Sequence, residues 1–319
     1  MRRCAALWLA ALLAATGAAA QRYPDRPIRI VVAFAPGGAV DIVTRTVGQK
    51  IGEQVGQPVV VDNRPGGNAN IGATMVARAT PDGYTLLTAS GANVVNMTLF
   101  PDLPYDALRD FAPISQIGFG PQVVIVNTSL PVKSVSDLLA LARAKPGQLS
   151  YASGGVGTSQ HLTGELFKSV GQVDILHVPY KGGAPALVDI IGGRVAFMFI
   201  NTLEALPHAK AGKVRILAIA NAKRSAVFPD TPTFAESGMP NFESVTWWGL
   251  VAPAGTPKAV IARLHAETVR ALGTPEVKER FAALGAEIRA STPEQFGAFM
   301  RAEAKKWGTV IKSTGIKAE

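Results

Sequence analysis

Two stretches of the chain alternate between a short apolar run and a longer helical pattern. Residues 28–35 (IRIVVAFA) are almost continuously apolar, as in a strand buried on both faces of a parallel sheet. A glycine-rich turn follows, and apolar residues then recur at helical spacing from Val40 to Val55. Gly56 is placed to end this helix in a left-handed cap, and the residues PVVVDN begin another strand. The pattern predicts a strand–turn–helix–strand (βαβ) unit.

A second stretch repeats this design near the middle of the chain. QLSYAS (148–153) predicts a strand, GGVGTS (154–159) a turn, and an apolar stripe from Leu162 to Val170 a helix that Gly171 closes. The residues DILHVPY predict the strand that follows. The two stretches predict similar α/β halves, each with a glycine-rich turn at the carboxyl end of a strand.

The last third of the chain is predicted to be helical after one strand, VTWWGLVAP. Its tryptophans, Trp247 and Trp248, are predicted to be strand and core residues rather than a partner surface. Three pairs each place a capping hydroxyl before a proline at the first position of a helix: Thr256-Pro257, Thr274-Pro275 and Thr292-Pro293. Because no long flexible linker interrupts the pattern, any two domains are expected to be joined by short crossings.

The first twenty residues are typical of a cleaved signal peptide. Arg2 and Arg3 precede an apolar run that is shorter than the roughly 20 residues of a membrane span, and small residues end it. Cys4 lies before that run, on the wrong side for lipid attachment at a new N-terminus. Cleavage after Ala20 removes the only cysteine, so the mature chain is expected to have no disulfide and no thiolate. An uncleaved N-terminal anchor is the alternative.

Size and charge predict a soluble, two-domain protein that does not bind nucleic acid. A mature chain of about 300 residues usually exceeds one hydrophobic core. The net charge is +9, but beyond the signal peptide basic residues adjoin only at Lys223 and Arg224 and at Lys305 and Lys306. The diffuse positive charge suits an anionic small molecule as well as it suits a solvated basic surface.

The glycine-rich turns match no catalytic or nucleotide-binding motif. The chain has no Walker loop, and residues 155–160 (GVGTSQ) lack the third glycine of the dinucleotide fingerprint. Ser90 and Ser153 lack the leading glycine of a G-x-S-x-G elbow, and Ser159 with His161 lacks a third group to orient the base. The four histidines show no i, i+4 spacing, and no EF-hand-like loop is present. The sequence therefore predicts no metal, no cofactor and no catalytic group.

These turns are suited to binding an anion through the backbone. A turn that follows a parallel strand presents free N–H groups at a helix N-terminus, where the helix dipole adds an effective charge of about +0.5. Glycine lets the main chain approach a ligand closely. Neither turn contains Lys or Arg, so the expected donors are neutral. Tight strand–helix packing without a ligand stays open as the alternative.

Six segments, in chain order from near residue 24, carry a family likeness: RPIRIVVAFAPGGAVDIVTR, DNRPGGNANIGATMVARATPDGYTLL, LPYDALRDFAPI, YASGGVGTSQHLTGELFK, HVPYKGGAPALVDIIGGRV and WWGLVAPAGTP. They resemble the Bug family, the periplasmic solute receptors of tripartite tricarboxylate transporters. The resemblance implies the type II periplasmic-binding-protein fold, in which two Rossmann-like α/β domains enclose a ligand cleft. It assigns residues 21–123 and 241–319 to domain 1 and residues 124–240 to domain 2.

The resemblance also implies ligand-binding residues by position. The first domain contributes Phe34, Pro36, Gly37, Gly38, Asp41, Ser90 and Gly91, and the second contributes Ser153, Gly154, Gly155, Gly157, Thr158, Ser159, His161, Tyr180, Lys181 and Gly182. Ala33 departs from the usual proline, NRPGGNANIG redistributes the usual glycines, and Ala196 replaces a common aspartate. Structural alternatives remain for His161 as a packing residue, for Tyr180 and Lys181 as a solvated turn, and for Asp41 as a first-turn charge.

The function implied by the resemblance is a monomeric periplasmic receptor that captures a small organic carboxylate and delivers it to integral membrane transporter subunits. No catalysis and no cofactor are expected. The alternative is an exported hydrolase or transferase on the same fold, which turnover of a bound substrate would reveal. An effector domain of a transcription regulator is disfavoured, because the chain shows a signal peptide and no N-terminal helix-turn-helix. The sequence does not distinguish among dicarboxylates, tricarboxylates, amino acids and aromatic acids, nor between a transport and a sensing role.

Overall fold

The computed structural model describes residues 23–314 and residue 317, so the predicted signal peptide lies outside the described residues. Within these residues ten strands form one sheet, in the order β2-β1-β3-β9-β4-β7-β5-β6, and β8 and β10 pair with β4. The strands are β1 (Ile28–Val32), β2 (Val59–Asn63), β3 (Thr85–Ser90), β4 (Phe111–Asn127), β5 (Ser150–Ser153), β6 (Leu176–Pro179), β7 (Phe197–Asn201), β8 (Val214–Ile219), β9 (Val245–Pro253) and β10 (Glu287–Ile288).

Ten helices of the described chain cover this sheet. They are α1 (Ala39–Val55), α2 (Asn70–Ala77), α3 (Gly91–Leu99), α4 (Val135–Ala144), α5 (Ser159–Gly171), α6 (Gly183–Ile191), α7 (Thr202–Lys210), α8 (Lys258–Gly273), α9 (Pro275–Ala283) and α10 (Pro293–Thr314). Across residues 23–314, none of them is both long enough and apolar enough to cross a bilayer.

The long strand β4 connects two parts of the sheet. Up to Pro121 it pairs antiparallel with β9, whereas residues 122–126 pair antiparallel with β7. Strands β1, β2 and β3 are parallel in one part, and β5, β6 and β7 are parallel in the other. The two predicted βαβ units therefore lie in different parts of one sheet. The domain boundaries at 123/124 and 240/241 stay a prediction.

The predicted burial of β1 on both faces is confirmed, although the strand ends at Val32 instead of residue 35. Ile28, Ile30 and Val32 pack into a core with α1 and α8, while Val31 faces a second core with α3 and α10. Each of these side chains is at most 2% exposed, so its burial contributes about 1.5–3 kcal/mol. Residues of β4 alternate between two further cores in the same way.

The predicted helix ends are confirmed in one case and corrected in the other. Helix α1 ends at Val55, and Gly56 has the left-handed φ of 68°. Helix α5 ends at Gly171, but the left-handed residue is Gln172, with φ 49°. Gly171 instead packs closely on Leu139, because a Cβ there would lie 2.6 Å from Cδ2 of Leu139 and that side chain would have to shift.

The Thr-Pro prediction holds in part. The Thr292 hydroxyl accepts a hydrogen bond from the Gln295 N–H at 3.2 Å, as a capping residue does. At Thr274 the position is confirmed, because Thr274 immediately precedes α9 and Pro275 begins it, but the Thr274 hydroxyl donates to the Ala271 carbonyl at 2.8 Å and does not cap the helix. The prediction was wrong at Thr256, because α8 begins only at Lys258 and the Thr256 hydroxyl donates to the Pro253 carbonyl at 2.8 Å. The strand 245–253 is confirmed as β9. Trp247 and Trp248, at 2% and 0% exposed, are confirmed as core residues.

Candidate ligand-binding cleft

Within the described chain, four helices begin at one point between the two parts of the sheet. Helices α1, α3, α5 and α6 follow the carboxyl ends of the parallel strands β1, β3, β5 and β6. Residues of all four N-termini line a cavity of about 50 Å³, called here the inner cavity. Its lining consists of Phe34, Gly38, Ala39, Val40, Ser90, Gly91, Ala92, Gly154, Thr158, Ser159, Gln160, Gly183, Glu204 and Thr246. No Lys or Arg belongs to this described lining, so the helix N-termini are its positively polarised groups, and Glu204 is an acidic side chain among them.

A second cavity, called here the outer cavity, adjoins the first and has a volume of about 280 Å³. The two cavities share Phe34 and Gly154. Tyr180 and Lys181 line the outer cavity together with residues 66–69. The predicted site residue Lys181 therefore lines the outer cavity and not the inner one.

Asp41 holds the first loop (residues 33–38) in shape. Its carboxylate accepts hydrogen bonds from the Gly37 N–H at 2.9 Å, from Asn63 Nδ2 at 2.9 Å and from Arg45 Nε at 3.0 Å. Burial acts to raise the pKa of Asp41, but the hydrogen bonds from Arg45, Gly37 and Asn63 outweigh it and hold that pKa below its ordinary value. Asp41 lines neither cavity, so the structure favours its alternative as a structural first-turn charge over a ligand contact.

His161 holds the second loop (residues 154–158) in the same indirect way. Its Nδ1 accepts a hydrogen bond from the Gly157 N–H at 3.1 Å, and its ring stacks on His177 with 4.2 Å between centroids. His177 Nε2 lies 2.6 Å from the Ser153 hydroxyl. Burial lowers the pKa of His161 to about 4 and that of His177 to about 3, so both rings are neutral near pH 7. His161 and Ser153 line neither cavity, and the packing alternative for His161 is favoured.

The two sides of the cleft contact each other directly. The Ala35 N–H donates a hydrogen bond to the Lys181 carbonyl at 3.0 Å, and the hydroxyls of Ser159 and Thr246 lie 2.7 Å apart. The inner cavity that remains holds only a few water molecules. A ligand the size of a dicarboxylate therefore requires the two sides to move apart.

The sequence analysis missed Glu204, in the first turn of α7. Its side chain faces the inner cavity, the residue is 6% exposed, and Oε2 has no hydrogen-bond partner among the described residues. Burial raises the pKa of Glu204 to about 7, and a hydrogen bond from the Ala39 backbone opposes that shift. Acidic residues are common in the first turn of any helix, so the pattern around Glu204 carried no distinctive signal. Thr246 was missed as well, whereas Gln160 and Gly183 lie within the predicted cleft stretches 154–161 and 177–183 but were not singled out.

Seven predicted site residues line the inner cavity: Phe34, Gly38, Ser90, Gly91, Gly154, Thr158 and Ser159. Pro36, Gly37, Gly155, Gly157 and Gly182 line neither cavity and form the surrounding turns. In the described part of the chain, no three His, Cys, Asp or Glu side chains form a group that could hold a metal ion. The ligand contacts of all these residues stay a prediction.

Comparison with known proteins decides the family. The family model described as "Tripartite tricarboxylate transporter family receptor" matches residues 43–316. The chain belongs to this receptor family. Protein BugT of Bordetella pertussis is 39% identical over 300 residues, which cover 93% of this chain and 92% of BugT.

Two similar solved structures contain small carboxylates. Rpa4515 of R. palustris, solved with adipate, is 36% identical with a TM-score of 0.90, and the match covers 92% of this chain and 99% of Rpa4515. MatC of Rhodopseudomonas palustris, with bound malate, is 32% identical with a TM-score of 0.87 and coverages of 91% and 100%. The resemblance to the Bug family and the periplasmic-binding-protein fold are confirmed. The receptors of this family are periplasmic solute-binding proteins, and the chain's structural relatives are binding proteins rather than enzymes.

Proposed function

We propose that this receptor captures a small organic carboxylate in the inner cavity and delivers it to integral membrane transporter subunits. The observation that carries the proposal is the convergence of four helix N-termini on a cavity whose described lining has no cationic side chain. Such a site binds an anion with neutral donors. The adipate and malate found in related proteins support the choice of a carboxylate.

The proposed donors are the backbone N–H groups of the helix starts and the hydroxyls beside them. Ser90, Thr158 and Ser159 bring hydroxyls to the lining, and Gly38 and Gly91 allow close approach of the main chain. Each hydrogen bond to a carboxylate contributes about 1.5–3 kcal/mol. Several such bonds, less the cost of immobilising ligand and protein, correspond to a Kd of about 1 μM or tighter.

The proposed domains close on the ligand. Residues 21–123 with 241–319 and residues 124–240 are proposed to lie on opposite sides of the inner cavity. In support, β4 changes its strand partners between Pro121 and Gln122. Only a closed arrangement contacts a ligand from both sides, so the ligand stabilises that arrangement. The mature protein is proposed to be a monomer in the periplasm, after cleavage following Ala20, and to need no cofactor.

The proposal is tested on mature protein purified from periplasm. Native mass spectrometry identifies any metabolite that co-purifies, and calorimetry measures binding of mono-, di-, tri- and aromatic carboxylates. One carboxylate class is expected to bind at a ratio of one to one, and NMR of the incubated ligand is expected to show no chemical change. Conversion of the ligand would favour the exported hydrolase or transferase instead. Failure of every carboxylate to bind would contradict the proposal.

Transport is tested separately by gene deletion. Loss of the receptor is expected to abolish uptake of the carboxylate identified by calorimetry, and expression of the intact gene is expected to restore it. Unimpaired uptake would argue against delivery to a transporter and for a sensing role.

A further inference from the structure

The carboxyl group of Glu204 lies where two helix N-termini from opposite sides of the cleft approach each other. A Cβ built on Gly38, before α1, would lie 3.5 Å from Oε2 of Glu204. A Cβ built on Gly183, the first residue of α6, would lie only 2.2 Å from the same atom. The absence of a side chain at position 183 therefore leaves the space that Glu204 occupies.

One oxygen of the buried Glu204 carboxyl, Oε2, lacks among the described residues the hydrogen-bond partner that a buried polar atom requires. Glu204 is 6% exposed, and Oε2 makes no hydrogen bond within residues 23–314. It is the one ionisable side chain among the described residues that line the inner cavity, and none of the described ion pairs includes it. A first-turn charge that only stabilises α7 could remain exposed at much lower desolvation cost.

A neighbouring amide faces the same point. Oε1 of Gln160 accepts a hydrogen bond from the Gly154 N–H, which fixes the orientation of the amide. Its Nε2 would lie 2.9 Å from a Cβ at Gly183. The donor Gln160 Nε2 and the acceptor Glu204 Oε2 thus lie near the same point beside Gly183, and both residues line the inner cavity. A ligand in the inner cavity that pairs with both groups needs an acceptor and a donor of its own.

We propose that Glu204 determines specificity by selecting carboxylates that carry a hydrogen-bond donor next to the carboxyl group, with a protonated amine preferred to a hydroxyl. The ligand carboxylate would face the helix N-termini, and its donor group would satisfy Oε2 of Glu204. An ammonium group forms the stronger, charge-assisted bond to a carboxylate. A second ligand carboxylate placed beside Glu204 would be repelled. This inference rests on the proposed function, because it refines the ligand class of the same cavity.

The test uses trios of ligands that differ only in carrying hydrogen, hydroxyl or ammonium at C2. The trios are propanoate, lactate and alanine; succinate, malate and aspartate; glutarate, 2-hydroxyglutarate and glutamate; and phenylacetate, mandelate and phenylglycine. Calorimetry compares wild type with Glu204→Gln, which keeps the shape of the side chain and one oxygen but removes the charge. Glu294→Gln is the matched control, because Glu294 is an exposed acid in the first turn of α10, away from the cleft.

In the trio of suitable length, the wild type is expected to bind the amine at least tenfold more tightly than the unsubstituted acid, with the hydroxy acid between them. Glu204→Gln is expected to reduce the preference for the amine by about tenfold to a hundredfold, and Glu294→Gln to leave it unchanged. Thermal unfolding of each variant verifies that it is folded.

Two results would separate the inference from the proposed function. Tight binding of a carboxylate without a donor, equal to that of its amino and hydroxy counterparts in the wild type, would overturn the inference and leave the proposed function standing. An unchanged preference in folded Glu204→Gln would do the same. Absence of binding by every carboxylate would overturn the proposed function, and the inference with it.

Discussion

The backbone N–H of Ala35 donates a 3.0 Å hydrogen bond to the carbonyl of Lys181 on the opposite side of the cleft. This bond joins the first loop to the segment that leads into α6, and it lies beside Phe34, which lines both cavities. The two sides are therefore closed on an inner cavity of about 50 Å³. Ligand entry requires this bond and the Ser159–Thr246 contact to open.

Opening and closing can be measured by small-angle scattering. The ligand-free protein is expected to include open forms, because only a ligand that touches both sides favours the closed form. Saturating ligand is expected to decrease the radius of gyration. A scattering profile that does not change with a ligand of proven affinity would argue against hinge motion.

Loop geometry is expected to matter more for binding than the charge of Lys181. Gly155 has φ 129°, and a Cβ there would lie 3.0 Å from Oδ1 of Asn68. Gly155→Val is therefore expected to weaken binding more than tenfold, because the strained loop prevents close approach. Lys181→Ala retains the carbonyl that bonds to Ala35 and is expected to have the smaller effect.

Calorimetry on both variants, with thermal unfolding to verify folding, checks this order. If Lys181→Ala abolished binding while Gly155→Val bound normally, a charge-paired site would replace the neutral one. Ser159→Ala is expected to weaken binding by about tenfold to a hundredfold if its hydroxyl contacts the ligand.

The burial of Glu204 is expected to make the free energy of unfolding of the ligand-free protein depend on pH. Its pKa rises from 4.5 to about 7 on folding, so between these pH values the folded protein holds a proton that the unfolded chain has released. This group therefore lowers the free energy of unfolding as the pH rises from 4.5 through 7. Glu204→Gln is expected to be more stable than wild type above pH 7, by on the order of 3 kcal/mol at most.

Urea denaturation at several pH values measures this difference. The difference in the free energy of unfolding between Glu204→Gln and wild type should decrease as the pH falls toward 4.5, where wild-type Glu204 becomes neutral in the folded and the unfolded state. A gap that is the same at pH 5 and pH 8 would contradict the burial of an unpaired carboxyl.

The stacked histidines should act in the opposite direction. Their pKa values fall from 6.5 to about 4 for His161 and about 3 for His177, so below pH 6.5 the unfolded chain takes up protons that the folded protein excludes. The free energy of unfolding should therefore fall as the pH decreases from 6.5 toward 4. His177→Phe keeps a ring on the stack and removes one titrating group.

For His177→Phe, the decrease in the free energy of unfolding with falling pH is expected to be shallower than for wild type by up to about 1.4 kcal/mol per pH unit. Denaturation curves of the two proteins between pH 4 and pH 7 provide the comparison. Parallel declines would show that His177 is protonated equally in the folded and unfolded states.

Export is checked by intact mass. The charged, apolar and small-residue regions of the first twenty residues predict that mature periplasmic protein begins at Gln21. Substitution of Ala20 by a bulky residue is expected to block cleavage. Mature protein that retains residues 1–20 would contradict the prediction.

The sequence by itself determined the fold class and the positions of the glycine-rich turns. Continuous apolar runs such as residues 28–35, followed by glycines and an amphipathic helix, are typical of βαβ units, because strands of a parallel sheet are buried on both faces. Gly56 and the strand 245–253 were predicted correctly, because each depends on local conformation or on a run of apolar residues. The long family motifs then identified the receptor family, which the match over residues 43–316 confirms.

The tertiary structure alone decided which polar groups face the cleft. Asp41 and His161 lie beside the glycine-rich turns in the sequence. Their side chains nevertheless accept hydrogen bonds from the backbone N–H groups of Gly37 and Gly157 and so stabilise the two loops, and neither lines the inner or the outer cavity. Glu204 lies more than 40 residues beyond the second glycine-rich turn (residues 154–159) in the sequence. The packing of α7 brings its side chain to the N-termini of α1 and α6. Periodicity determines which face of an element is buried, but the packing of distant elements determines what that face meets.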